Sequence, residues 1–325
     1  MDPPRELIET LAGAVQPVMV SHVSPDADAL GSILALARAV PVSKAAVAFT
    51  KGTINQRLQF MLELARSVPV ADPDRLTRAD VVAVCDTAGT NRVNIDGKWD
   101  AIADKIIANI DHHISNPDFG RHNWVVDNAS STCELIYRLI RSAGWPLDPG
   151  TATLLYAGIY SDTGGFSLPN VTADSFDAAA SLVRAGANVE LVGARLMRSQ
   201  QQSEFDLVRL VYHNTKIAAD GRIAYSTLDH NEIESTGCTM HDIDDQVSIP
   251  RSLSGIKIAI FFSEGEPGVI RINLRGEEGT AILTLSRSLG GGGHTFSAGA
   301  RIRGEMSEVV DRVLREAAAA LDDIS

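Results

Sequence analysis

"KIIANIDHHISN", residues 105–116, is an apolar run that ends on an aspartate and two adjacent histidines. A short apolar run bounded by polar residues reads as a strand buried on both faces, and such strands belong to parallel sheets covered by helices. Polar groups placed where these strands end collect at the carboxyl edge of the sheet, where ligands of open α/β sheets bind. The chain has eight histidines. Two of them standing side by side next to a carboxylate mark this strand end as a candidate site.

Outward from this stretch, "PVMVSH" (17–22), "AAVAF" (45–49) and "DVVAVCD" (80–86) have the same form. Helical patterns lie among and after them, including "DALGSILALARAV" and "SSTCELIYRLIRSAG", the latter with Ser131 or Thr132 as N-cap, Glu134 close behind and Gly144 as the stop. The alternation predicts an α/β fold with a mostly parallel sheet and flanking helices. From about 148 to 213 the pattern is helical. Strands return with "GRIAYSTLD" (221–229), "GIKIAIFFSE" (255–264) and "GVIRINLR" (268–275). The final "EMSEVVDRVLREAAAAL" carries apolar residues at 306, 309, 310, 313 and 314, one helical face. The expected organisation is a catalytic domain over 1–190, a helical connector over 191–213 and a smaller α/β domain over 214–325. Two domains also suit a chain of 325 residues.

Forty-one acidic against 29 basic residues give a formal charge of −12. Long nucleic acids are held by Lys and Arg that neutralise phosphates, so this balance argues against a long polyanion as partner and leaves small phosphorylated ligands open. Cys85, Cys133 and Cys238 are irregularly spaced, which suits free thiols in a reducing compartment. "MDPPRELIET" has no apolar core of a signal peptide, and no apolar run approaches the ~18 residues of a membrane span. The expectation is a cytoplasmic protein with no membrane partner.

Four clusters sit where apolar runs end: His22, Asp26 and Asp28; Asp86; Asp111, His112 and His113; and Asp162, closing a helix. Asp26 and Asp28, two apart in an extended stretch, would face one point, with His22 beside them. A lone aspartate at a strand end is ordinarily a turn or cap residue. Four such clusters converging on one crevice would repel one another and hold protons unless divalent cations were present. Carboxylate and imidazole donors without thiolate suit Mn²⁺ or Mg²⁺, and they suffice for two ions bridged by one carboxylate.

The ordered motifs "HVSPDADALGS", "VCDTAG", "IDHHISN" and "YSDTGGF" resemble those of the DHH phosphoesterase superfamily. "SLGGGGHTFSAG" is similar to the signature of its DHH-associated C-terminal domain. The "FG…NWVVDNASSTCE" stretch resembles the group of bifunctional oligoribonucleases and 3′-phosphoadenosine 5′-phosphate phosphatases. The resemblance implies two divalent ions, Mn²⁺ first and Mg²⁺ second. His22, Asp26 and Asp86 would hold one; Asp28, Asp86, His112 and Asp162 the other. It also implies that His113 faces the substrate phosphate while Asp111 orients a ligand histidine. Arg271, Arg275, Gly291, Gly292, Gly293 and His294 would bind the substrate, with the glycine amides open to a phosphate. The implied substrates are short oligoribonucleotides or small phosphorylated nucleotides, and the implied assembly, by analogy, a homodimer. The chain departs from the family pattern at Ser263, Gly276 and Ser297. Rival readings are a cyclic dinucleotide phosphodiesterase, a pyrophosphatase or polyphosphatase, and a nucleotide-binding sensor. "STGCTMHDIDDQ", with Cys238, His241 and Asp242, reads as an acidic surface connection.

Overall fold

A computed structural model describes residues 2–50, 52, 54–93, 102, 105–198, 201–238, 243–277, 279–293 and 295–322. The chain divides into two compact units, 1–199 and 200–325. Of the stretch expected to connect domains, Val189–Met197 packs on the first unit and Gln202–Asn214 on the second.

In the first unit, strands β1 (Val18–Val20), β2 (Ala46–Ala48), β3 (Val81–Cys85), β4 (Ile106–Asp111) and β5 (His122–Val125) form one sheet in the order β2-β1-β3-β4-β5. Every pairing is parallel. The helices are α1 (Arg5–Gly13), α2 (Ala27–Ala39), α3 (Gln59–Leu64), α4 (Pro73–Arg78), α5 (Thr132–Ala143), α6 (Pro149–Asp162), α7 (Ala173–Arg184) and α8 (Val189–Met197). Side chains alternate between the two faces of a strand. Val81, Ala83 and Cys85 therefore join a core with α2, α5 and α6, while Val82 and Val84 join a second core with Leu76, Val93 and Ile102. Burial on both faces is why these strands read as unbroken apolar runs. β5 falls where no strand is expected: "HNWV" lies at the sheet edge, with Trp124 turned into the core.

Strands β1, β3 and β4 are consecutive in this sheet, so the polar residues after them emerge along one edge. Ser131 caps α5 through Glu134 N–H, and Gly144 ends it at φ 67°. Asp26 caps α2, its Oδ1 accepting Asp28 and Ala29 N–H at 3.0 Å each. Asp26 and Asp28 thus converge as N-cap and first-turn residue rather than as alternate positions of an extended stretch. The helix cap wins because one carboxylate oxygen satisfies two otherwise orphaned amides.

The second unit is a mixed sheet of β6 (Lys216–Ala218), β7 (Ile223–Leu228), β8 (Ile258–Glu266), β9 (Val269–Gly276), β10 (Gly292–Gly293) and β11 (Ser297–Arg303), ordered β10-β11-β9-β8-β7-β6. Its helices are α9 (Gln202–Asn214), α10 (His230–Thr236), α11 (Ser248–Arg251), α12 (Ile282–Ser288) and α13 (Met306–Asp322). One face of β8 and β9 packs under α12 and α13, and the other face of β8 under α9, α10 and α11. β11, "SAGARIR", is not foreseen as a strand because its inward positions are mostly alanine and its outward ones glycine, serine and arginine. Among the described residues no helix is long and apolar enough to cross a membrane.

Close packing of α2, α5 and α6 rests on glycine. A Cβ added at Gly158 would stand 2.2 Å from Cys133 Sγ and 2.8 Å from Asp28 Oδ1. Gly158→Ala is therefore expected to lower the melting temperature by several degrees, from about 1–3 kcal/mol of overpacking. Cys133→Ala in the same chain should recover part of the loss. An unchanged melting temperature in thermal unfolding would contradict this packing.

Candidate active site

The aspartate that ends β3 is the point of convergence. Asp86 lies at φ 59°, in the left-handed region that aspartate tolerates better than most side chains. Its N–H donates to Ile110 O at 3.1 Å, so the turn is anchored to β4. Asp86 Oδ2 lies 3.6 Å from His22 Nε2, and Asp86 Oδ1 lies 3.6 Å from His112 Nε2. One carboxylate therefore shows a different oxygen to each of two imidazoles.

Each of those imidazoles has its other nitrogen occupied. His22 Nδ1 is 2.9 Å from Val23 O, and His112 Nδ1 is 3.3 Å from Ala129 O. With Nδ1–H donated to the backbone, the lone pair of Nε2 points at the carboxylates, as in metal-ligating histidines. Asp162 Oδ2 lies 3.6 Å from His112 Nε2, and Asp26 Oδ2 lies 3.9 Å from His22 Nε2. The donors fall into sets whose atoms lie within 4.8 Å of one another: His22, Asp26 and Asp86; Asp28, His112 and Asp162; Asp86, His112 and His113. This donor set fits two divalent cations sharing Asp86.

The N-terminus of α5 faces the same carboxylates. Thr132 and Cys133 N–H donate to Asp28 Oδ2 and Oδ1 at 2.7 and 2.8 Å, and Thr132 Oγ1 donates to Asp86 Oδ1 at 3.0 Å. A helix N-terminus favours negative charge, which offsets part of the repulsion. Thr132 is not foreseen in this role, since the motif containing it reads simply as a helix cap.

Asp111 is fully buried. Its Oδ1 accepts His112 N–H at 2.8 Å and lies 2.7 Å from His113 Nδ1, and its Oδ2 accepts Asn116 Nδ2 at 2.7 Å. Asp111 therefore orients the ring of His113, whereas the ring of His112 is oriented by Ala129 O. The histidine that Asp111 orients is thus His113, which belongs to one of the three donor sets, and not His112. His113 is the more open imidazole, its side chain 37% exposed against 15% for His112. Asn170 carries no sequence signal for the site, yet its Nδ2 donates to Ser130 O and Asp162 O at 2.9 and 3.1 Å, tying the chain just before α5 to the end of α6.

Burial and mutual repulsion raise the proton affinity of most of these groups. Burial raises the carboxyl pKa of Asp26 and takes Asp28 well above its usual range, with Asp86 repulsion adding to both. Burial likewise pushes Asp162 to about 6. Burial works against protonated His22, but the carboxylates of Asp86 and Asp26 outweigh it and raise its pKa. His113 is raised chiefly by its bond to Asp111. Burial opposes the charge of Asp86 too, yet His22, His112 and His113 together hold its pKa low.

In the second unit, "LGGGGH" is not a free turn. Gly290 and Gly291 N–H donate to Arg287 O and Ser286 O, and Gly292 and Gly293 pair with Gly299 and Ala298. The Gly291 amide is thus spent on the end of α12 and is not the open phosphate donor expected of it. Arg271 and Arg275 lie on the outward side of β9. His294, His241 and Asp242 fall outside the described residues. A Cβ at Gly276 would stand 2.1 Å from Thr280 Oγ1, which accounts for glycine there.

Groups that hold protons more tightly when folded stabilise the fold below their unfolded pKa and lose that contribution as pH rises through the folded one. For Asp162 the loss runs from about pH 4 to its folded value of about 6. Mn²⁺ would replace those protons, so its stabilising effect is expected to be larger at pH 7 than at pH 5, with proton release on binding. Thermal unfolding at both pH values, with and without Mn²⁺, measures this; equal shifts would refute it.

Residues 17–159 match the model described as the DHH family, N-terminal domain, and residues 220–323 match the DHHA1 domain. A Bacillus subtilis protein named bifunctional oligoribonuclease and PAP phosphatase NrnA is 31% identical, over 91% of this chain and 92% of that one. A Thermus thermophilus protein of the same name is 28% identical, over 95% and 92%. A crystal structure of an exopolyphosphatase-related protein from Bacteroides fragilis superposes with a TM-score of 0.82 at 26% identity, covering 97% of this chain and 94% of that one.

Proposed function

The chain belongs to the DHH family and is a hydrolytic nucleotide phosphoesterase, and from that premise we propose that it uses two divalent cations to cleave very short oligoribonucleotides to mononucleotides and to remove the 3′-phosphate of 3′-phosphoadenosine 5′-phosphate. The observation that carries this reading is the shared carboxylate of Asp86, with an imidazole 3.6 Å from each of its oxygens. His22, Asp26 and Asp86 would hold one ion and Asp28, Asp86, His112 and Asp162 the other, with Mn²⁺ the metal that best suits the donors. When bound, such a pair supplies Lewis-acid activation of water and neutralises charge developing on phosphoryl oxygens.

The chain's own groups account for the remaining work. His113, its Nδ1 tied to buried Asp111 at 2.7 Å, is held with Nε2 free to donate to a phosphoryl or leaving oxygen. Its bond to the Asp111 carboxylate favours the protonated ring. Asn116 fixes Asp111 from behind. The α5 N-terminus keeps Asp28 in place, so that only small rearrangement accompanies charge development. In the second unit, Arg271, Arg275, Gly292 and Gly293 are the groups proposed to take substrate phosphates; His294, proposed with them from the sequence, lies outside the described residues. The formal charge of −12 supports short over long strands.

Incubation with Mn²⁺ and 2- to 5-mers, a 24-mer or the bisphosphate nucleotide tests the substrate class. The expected order places the 2-mer well ahead of the 24-mer; the reverse order rejects the reading. Asp86→Asn keeps the side-chain shape and removes the shared charge. Its activity is expected to fall by more than the ~10–100-fold typical of an outer partner of a metal site, with metal content per chain falling alongside.

A further inference from the structure

Residues 129–133, the chain leading into α5, hold the groups assigned to one of the two ions. Ala129 O meets His112 Nδ1 at 3.3 Å, Thr132 Oγ1 donates to Asp86 Oδ1 at 3.0 Å, and Thr132 and Cys133 N–H donate to Asp28. His112, Asp28 and the shared Asp86 are thus all fixed from one short segment. His22 and Asp26 are fixed elsewhere. Val23 O meets His22 Nδ1 at 2.9 Å, and Asp26 is tied to amides of α2. The remaining group, Asp162, comes from the end of α6. Asn170 joins it to the segment, since its Nδ2 donates to Ser130 O at 2.9 Å and to Asp162 O at 3.1 Å. Ser130 is anchored in turn, its N–H and Oγ both donating to buried Glu134.

The loop that returns Asn170 to the site carries strain. Gly164, Gly165 and Phe166 follow α6 at φ 55°, 67° and 65°. Glycine adopts such angles freely, whereas a bulky phenylalanine does not. Packing holds Phe166 there: its ring centroid is 5.2 Å from that of Phe176 and 6.0 Å from that of Tyr160, and its N–H donates to Thr163 Oγ1 at 3.1 Å. Asn170 itself has an orphaned acceptor. Its Oδ1 is buried with no hydrogen-bond partner among the described residues. Turning the amide over would set Oδ1 against two carbonyl oxygens, so the donors stay where they are. A strained backbone and an unsatisfied acceptor persist only where the surroundings over-determine them, and they cluster at functional places.

We propose that Asn170 is a positioning residue for one ion of the pair, the one assigned to Asp28, Asp86, His112 and Asp162. Its two hydrogen bonds set the spacing between Asp162 and the segment that fixes the other three donors. Outer partners of this kind orient the groups that bind a metal and thereby tune its affinity. Because His22 and Asp26 are held independently, the ion they share with Asp86 does not depend on Asn170. This rests on the two-ion reading above and deepens it by assigning one residue to one ion.

The test is calorimetric titration of the full chain with Mn²⁺ alone, which reads binding rather than activity. Wild type is expected to take up two ions. Asn170→Leu keeps the size of the side chain and removes both donors. One ion should then bind about 10–100-fold more weakly while the other stays within about twofold. Asn188→Ala removes the N-cap of α8 and serves as a control for stability alone. It should lower the melting temperature and leave both affinities unchanged. Thermal unfolding in chelator shows that each chain is folded, and Asn170→Ala, which adds no bulk, carries the same expectation should Asn170→Leu not fold. Two unchanged affinities, equal weakening of both ions, or the same one-ion loss in Asn188→Ala would overturn the role. Wild type that takes up a single ion removes the two-ion reading and the role with it, whereas two ions bound alike by wild type and variant remove the role alone.

Discussion

The carboxylate of Asp86 meets an imidazole on each oxygen, and this requires the chain to turn left-handed at the end of β3. Aspartate bears that backbone conformation with less strain than a branched or bulky residue would. The turn also keeps Asp86 N–H on Ile110 O, so the bridge between β1 and β4 stands on sheet hydrogen bonding rather than on a loop. Because β1, β3 and β4 are neighbours, His22 and His112 arrive from either side of Asp86 without further folding. The parallel sheet thus brings the two halves of the site together.

So many acidic groups in one buried place need compensation before any ion arrives. The amides and hydroxyl at the start of α5 supply part, by direct bonds to Asp28 and Asp86. Glu134, fully buried, holds that start in shape by accepting from Ser130, Ser175 and Arg138. Around Asp111 the support is neutral: Asn116 bonds it and is itself bonded to Asn109, which also reaches Asn123. Amide groups there fix a carboxylate and an imidazole without adding charge to a crowded site.

Much of the first unit is legible in its sequence because strands buried on both faces write themselves as apolar runs, and their ends carry the reactive groups. "DVVAVCD" and "KIIANID" are read to within a residue or so of β3 and β4. β5 escapes because an edge strand need not be apolar on both faces, and β11 because "SAGARIR" puts charge or small residues at most positions. Thr132, Asn116 and Asn170 escape for a different reason. Hydroxyl and amide side chains are common everywhere, and nothing in their spacing distinguishes one that holds a ligand from one that caps a turn. The helical placement of Asp28 was hidden by the cap that precedes it, since "SPDAD" is equally readable as extended chain.

The tight seam where α2, α5 and α6 meet also decides the chemistry of a thiol. Cys133 Sγ is wedged against Gly31 and Gly158, 3.4 Å from both Ser32 Oγ and Asp28 O, and fully buried. Burial next to Asp28 drives its pKa well up, so the reactive thiolate is scarce. Oxidation to a sulfenic acid would have to insert an oxygen where even a methyl group has no room. Peroxide and alkylating reagents therefore spare this sulfur for as long as the fold is closed, and labelling of Cys133 would register opening of the seam itself.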